Sequence, residues 1–224
     1  DWTRRFCAAY RERGFRHPFW VNTRVERVED EDIVRELAAA GCRGIRVGLE
    51  SGNEELRRDV LKRKMTNDAI RKTFRVVQKY GLETYTCNML GLPGETPEMI
   101  QETIDFNREL NPTQFQFSVF YPYPMTELHD IVVEKGYYKE GEHTTSYYDK
   151  TSVLELPTLT KEQIAYYHDK FTELKRELRL KRRSPLRHRF YTALRHLYRD
   201  DTPRLRRHLD AVSRVRRRLL GQKG

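Results

Sequence analysis

The chain has 224 residues, of which 38% are hydrophobic and 34% charged, with a formal net charge of +10. That length supports one good core with an appendage and excludes two large domains. No apolar run is long enough to span a bilayer, and Asp1-Trp2-Thr3-Arg4-Arg5 is no signal peptide, so a cytoplasmic location is the default expectation.

The elements follow from periodicity and punctuation. Trp2, Phe6, Ala9 and Tyr10 recur at helical spacing, predicting a helix over residues 1–13 that Gly14 ends. Phe19–Val25 reads as a strand, Glu31–Ala40 as a helix stopped by Gly41, and Ile45–Leu49 as a second strand. A helix over Thr66–Tyr80 leads to a strand at Thr84–Leu90. Thr96 is a good N-cap with Pro97 at the first helical position, opening a helix to about Leu110. Phe115–Phe120 is the fourth strand, followed by a short helix over Glu127–Lys135. Strands alternating with connections of helical length imply parallel pairing.

Each strand carries a polar face: Asn22 and Arg24 on the first, Arg46, Gly48 and Glu50 on the second, Thr84, Thr86 and Asn88 on the third, and Gln114, Gln116 and Ser118 on the fourth. A fully covered parallel sheet reads instead as near-continuous apolar runs. The pattern predicts a partial barrel whose apolar outer face packs on helices and whose interior holds a ligand. A one-sided antiparallel sheet alternates the same way, but the intervening helices argue against it. The odd, scattered Cys7, Cys42 and Cys87 suggest neither a disulfide framework nor a metal site. Each reads as a small buried hydrophobe, with Cys87 expected on the outward face of its strand.

Two strand ends carry the functional signal: Gly48-Leu49-Glu50-Ser51-Gly52 and Gly91-Leu92-Pro93-Gly94-Glu95-Thr96. From the residues alone Glu50 has two readings, an acceptor for the hydroxyls of a ribose or a cap for a helix over Asn53–Val60. The two motifs at this interval, with Pro97-Glu98-Met99-Ile100 after the second, resemble the radical S-adenosylmethionine superfamily. The similarity is to the branch often fused to a cobalamin-binding domain.

The resemblance covers residues 1 to about 138 and implies the third to sixth strands of a (β/α)6 TIM-like partial barrel. It implies that Glu50, Ser51, Gly52, Arg63, Asn88, Gly91, Arg24 and Tyr121 surround S-adenosylmethionine. Arg63 would grip its carboxylate, and Gly91 and Asn88 would lie along the adenine. Gln114, Gln116 and Ser118 would meet a small-molecule substrate. Relatives usually have Gly where Met125 stands, which puts a positive φ in question there. The family's 4Fe-4S cluster is held by a Cys-x3-Cys-x2-Cys loop absent from this chain, so no metal ligand and no catalytic residue is assigned. The chain therefore reads as the C-terminal portion of a longer protein, or as a truncated product. In an intact relative a reductant such as ferredoxin or flavodoxin feeds the cluster. Cleavage of S-adenosylmethionine then yields a 5′-deoxyadenosyl radical, or methyl groups pass through cobalamin. The competing reading is a non-catalytic remnant or scaffold.

The remainder divides into an extension over 139–183 and a basic tail over 184–224. Thr160-Lys161-Glu162-Gln163 is a capping box for a helix to about Arg183. Ser184-Pro185 and Thr202-Pro203 are two further helix starts. Residues 161–224 carry 20 Lys and Arg against 7 Asp and Glu, so all of the net positive charge comes from there. An arginine-rich helical face of this kind is suited to nucleic acid or an acidic membrane surface.

Overall fold

The computed structural model describes residues 2–139, 141 and 149–197. Four strands, β1 (Phe19–Thr23), β2 (Cys42–Glu50), β3 (Glu83–Leu90) and β4 (Gln114–Val119), form one parallel sheet in sequence order, and the barrel is not closed. The helices are α1 (Trp2–Glu12), α2 (Glu31–Ala39), α3 (Glu54–Asp59), α4 (Asn67–Lys79), α5 (Pro97–Leu110), α6 (Glu127–Glu134), α7 (Lys161–Arg183) and α8 (Pro185–Leu197).

Most helix starts are fixed by a side-chain oxygen that accepts from a backbone N–H two or three residues on. Asp30 does this for α2, Asn53 for α3, Thr66 for α4, Thr96 for α5 and Thr126 for α6. The box before α7 is reciprocal: Gln163 N–H donates to Thr160 Oγ1 (3.2 Å) while Thr160 N–H donates to Gln163 Oε1 (2.9 Å). β2 begins at Cys42, earlier than its apolar run suggests, and β1 ends at Thr23, where a 3-10 turn over Val25–Arg27 buries Val25.

Helices cover one face of the sheet. Val21, Ile45, Val47 and Leu49 pack there with Val34, Leu37, Ile70 and Phe74. Leu90, Phe115, Phe117 and Val119 pack with Ile100, Ile104, Ile164 and Phe171. A third cluster, including Leu56, Leu92, Phe120, Val132 and Leu154, sits beside the strand ends. Cys7 and Cys42 lie buried in the first cluster, as expected of small hydrophobes.

The register corrects one face. Because Arg46 pairs with Tyr85 and Gly48 with Cys87, the open face of β3 carries Tyr85, Cys87 and Met89. Thr84, Thr86 and Asn88 point to the helices instead, and they are buried because polar partners meet them there. Thr86 Oγ1 donates to Asn107 Oδ1 (2.7 Å), Asn107 Nδ2 donates to Asn88 Oδ1 (2.7 Å), and Thr84 exchanges bonds with Thr113.

The described residues divide into two compact units, one ending at Leu178 and one beginning at Arg179. Residues expected as a separate extension, among them Leu159, Ile164 and Phe171, thus pack on β4 within the first unit. The second is described through α8; the expected helix start at Thr202-Pro203 lies outside the described residues. Among the described residues no helix is long and apolar enough to cross a membrane.

Candidate cofactor-binding site

The open face of the sheet bears Trp20 and Asn22 from β1, Gly44, Arg46 and Gly48 from β2, Tyr85, Cys87 and Met89 from β3, and Gln114, Gln116 and Ser118 from β4. The C-terminal end of β2 is irregular: the ladder shifts between Gly48 and Glu50, and Glu50 takes φ +64°. A non-glycine residue in the left-handed region costs roughly 1–2 kcal/mol, so the surrounding contacts must hold it there. The bulge brings the Glu50 carboxylate over Gly48, where a Cβ would stand 2.4 Å from Oε1. Glycine at position 48 is thus what leaves room for the acid.

Arg63 completes the pair. Its Nη2 lies 3.3 Å from Glu50 Oε1 and its Nη1 donates to Gly48 O at 2.8 Å. The Glu50 side chain is 14% exposed against 40% for Arg63. Burial pushes the Glu50 carboxyl up, and Arg63 opposes that shift only in part. The helix-capping alternative for Glu50 is removed, because Asn53 Oδ1 accepts from Leu56 N–H and caps α3 itself.

Other expected site residues sit differently. Ser51 is fully buried; its hydroxyl meets Thr103 and Asn53 N–H, and its carbonyl accepts from Arg57. Gly52 allows close approach, but to α5: a Cβ there would meet Thr103 Cα at 2.6 Å, and its N–H donates to Thr103 Oγ1. Both therefore build the wall behind Glu50 rather than a ligand surface. The Asn88 side chain is committed on the helix side, donating to Thr86 and Gln116 O and accepting from Asn107. Gly91 is required for φ +78°, and its missing Cβ faces Ile164 of α7. Arg24 is exposed just beyond β1, and Glu50 pairs with Arg63 rather than with it. Tyr121 is half-buried and meets Tyr123 edge-on at 5.2 Å past the end of β4. Gln114, Gln116 and Ser118 share the open face as expected. Met125 does adopt φ +67°, without glycine, at a position 98% exposed.

Two supporting groups escaped sequence reasoning. Arg57, wholly buried, donates to Ser51 O (2.6 Å), Met65 O (3.1 Å) and Asn67 Oδ1 (2.7 Å), tying both ends of the segment that carries Arg63. Burial lowers its pKa to about 10. Glu95, also fully buried, accepts from Gly91 N–H (2.6 Å) and Leu92 N–H (3.2 Å), and burial raises its pKa to about 8. Its place four residues after Gly91 in a tight turn was the available signal.

The cysteines do not suit an iron-sulfur cluster, which needs accessible, convergent thiolates. Cys7 and Cys42 are core residues, and burial raises the Cys42 thiol to about 11. Cys87 is half-buried on the open face, not the outward one, and its thiol is also raised, first by burial and then by Glu50. Among the described residues no three His, Cys, Asp or Glu side chains gather as metal ligands.

Residues 4–106 match the family model described as the Radical SAM superfamily. The anaerobic magnesium-protoporphyrin IX monomethyl ester cyclase of Rubrivivax gelatinosus is 24% identical over 131 residues, covering 58% of this chain and 23% of that protein. The cobalamin- and [4Fe-4S]-bound radical S-adenosylmethionine methyltransferase TsrM of Kitasatospora setae superposes with a TM-score of 0.54 at 22% identity, over 73% of this chain and 34% of its own. Coproporphyrinogen III oxidase of Escherichia coli, a radical SAM enzyme, gives 0.54 at 20% identity, over 76% and 36%. The chain spans only 20–25% of the length of the curated relatives it matches.

Proposed function

We propose that the chain, whose residues 4–106 match the Radical SAM superfamily model, belongs to that superfamily and that its open face holds S-adenosylmethionine. Glu50 accepts the ribose hydroxyls and Arg63 pairs with the methionyl carboxylate. The observation that carries this reading is the geometry of Glu50: a backbone in the left-handed region holds a largely buried carboxylate on the open face at a strand end. A parallel α/β barrel places its ligands at such ends. Ser51, Gly52, Arg57 and Glu95 position the two turns, while Cys87 and Met89 bring apolar surface beside the ligand.

When bound beside a 4Fe-4S cluster, S-adenosylmethionine supplies radical hydrogen abstraction or, with cobalamin, methyl transfer; the protein's share is binding, orientation and exclusion of water. The described residues do not fit the cluster, so its ligands belong to sequence outside them. Cobalamin, a ferredoxin- or flavodoxin-type reductant, a small-molecule substrate meeting Gln116 and Ser118, and nucleic acid on the 184–224 tail are parts of this reading for the whole protein. A cytoplasmic location is part of it too.

Anaerobic reconstitution with iron and sulfide is the test. The 224-residue chain is expected to take up no stoichiometric cluster, whereas a protein extended by its upstream coding sequence is expected to do so. A stoichiometric, EPR-active cluster in the 224-residue chain would overturn the assignment of ligands. No cluster in either protein would favour the scaffold reading.

A further inference from the structure

A second feature of the open face lies four residues before Glu50 on β2. Arg46 projects between two aromatic rings, its Cζ 4.3 Å from the Tyr85 centroid and 6.0 Å from that of Trp20. Glycine at position 44 makes this possible, since a Cβ there would stand 2.6 Å from the Trp20 ring. Tyr85 donates its hydroxyl to Gln116 Oε1 (3.2 Å), which leaves the Gln116 amide N–H2 as a donor on the same face.

Among the described residues Arg46 has no ion pair and no hydrogen bond, and its Nε is buried without a partner. The cation is half-buried, and ring faces alone offset little of its desolvation. The Glu50 acid is already held by Arg63, and Glu83, on the same face of β3, is held by Arg43 and Gln114, so among the described residues neither acid pairs with Arg46. Along the strand the two Cα positions are roughly 13 Å apart, but the Glu50 carboxylate folds back over Gly48, so Arg46 adjoins the Glu50–Arg63 pair on its side toward the start of β2.

We propose that Arg46, with Trp20, Tyr85 and Gln116, is a binding site for the carboxylate of the substrate, whose adjoining apolar part lies against the two rings. A single guanidinium beside a neutral amide matches a monoanion; a phosphate dianion would call for a second cation. The substrate class named here rests on the open face being the ligand-binding surface assigned above, yet the test does not depend on S-adenosylmethionine.

In the 224-residue chain, Trp2→Phe leaves Trp20 as the only tryptophan and so as a reporter beside Arg46. Cyclohexanecarboxylate is expected to change its emission saturably, with cyclohexylmethanol and inorganic phosphate binding at least roughly tenfold more weakly. Arg46→Gln should weaken the carboxylate roughly ten- to a hundredfold while leaving S-adenosylhomocysteine affinity unchanged. In the chain without the Arg46 substitution, the Arg46 Nε–H resonance should move with the carboxylate and not with the alcohol, a readout independent of how the variant folds. The proposal is overturned by no saturable response to the carboxylate, an equal response to the alcohol or phosphate, or undiminished binding by Arg46→Gln. It is also overturned if Arg46→Gln abolishes S-adenosylhomocysteine binding alone, which would place Arg46 in the nucleoside site. Loss of S-adenosylhomocysteine binding in every form with carboxylate binding intact would count against the cofactor reading and not against this one.

Discussion

Glu95 makes the stability of the turn after β3 depend on pH. Its carboxyl is fully buried, and among the described residues no cation lies beside it and only the N–H groups of Gly91 and Leu92 favour the charged form. Burial wins, raising the pKa from 4.5 to about 8. A folded-state pKa above the unfolded one means the native protein holds a proton that the unfolded chain releases. The stabilisation is therefore complete below about 4.5 and is lost as pH rises through about 8. At about 1.4 kcal/mol per pH unit, the loss across that window is on the order of 4–5 kcal/mol. Glu95→Gln keeps an oxygen for the two N–H donors and cannot ionise. It should match wild type near pH 5 and exceed it by several kcal/mol above pH 8. Glu95→Ala leaves two buried donors unpaired and should cost about 2–6 kcal/mol at pH 5. Urea denaturation followed by far-UV circular dichroism, from pH 4.5 to 8.5, measures all three. Parallel pH profiles for wild type and Glu95→Gln would refute the reasoning.

Arg57→Ala removes three hydrogen bonds from a buried cation and should destabilise by about 3 kcal/mol or more, read from a denaturant midpoint. Lysine there should recover little, since one ammonium cannot span Ser51 O and Met65 O together. Met125→Gly relieves φ +67° at an exposed site and should stabilise by about 0.5–1 kcal/mol in a thermal melt; a destabilised variant would mean the Met side chain makes an unrecognised contact. Among the described residues the outer edge of β1 has no strand partner, so light scattering on the 224-residue chain should show concentration-dependent association. A monodisperse monomer would contradict this.

Local chemistry was the legible part of the sequence. A threonine cap acts within three residues, so Thr96 could be placed without knowing the fold; Thr66 and Thr126, read only as lying at or beside helix limits, cap in the same way. Alternation marked two faces on every strand but could not say which one meets the helices. On β3 the polar set proved to be the buried one, because Asn107 and Thr113 supply its partners. Asn107 and Thr103, four apart on the same stripe as Ile100 and Ile104, were the hint that α5 carries a polar seam. Ser51 and Gly52 were misjudged for a different reason: Thr103 lies about fifty residues away, and only the packed structure brings it against them. Glu50 and Arg63 were legible as candidates from strand-end position and charge. The left-handed backbone at Glu50 was not, since a non-glycine residue gives no local sign of it.

The central claim is that Glu50 on the open face binds the nucleoside of S-adenosylmethionine. Calorimetric titration of the complete protein with S-adenosylmethionine, in wild type and Glu50→Ala, tests it most directly. Loss of one charge-assisted bonding group should weaken binding roughly ten- to a hundredfold with little change in melting temperature, since Arg63 offsets the burial cost of the Glu50 carboxyl only in part. Unchanged affinity in a folded Glu50→Ala protein would contradict the account and leave the Glu50–Arg63 pair a structural ion pair.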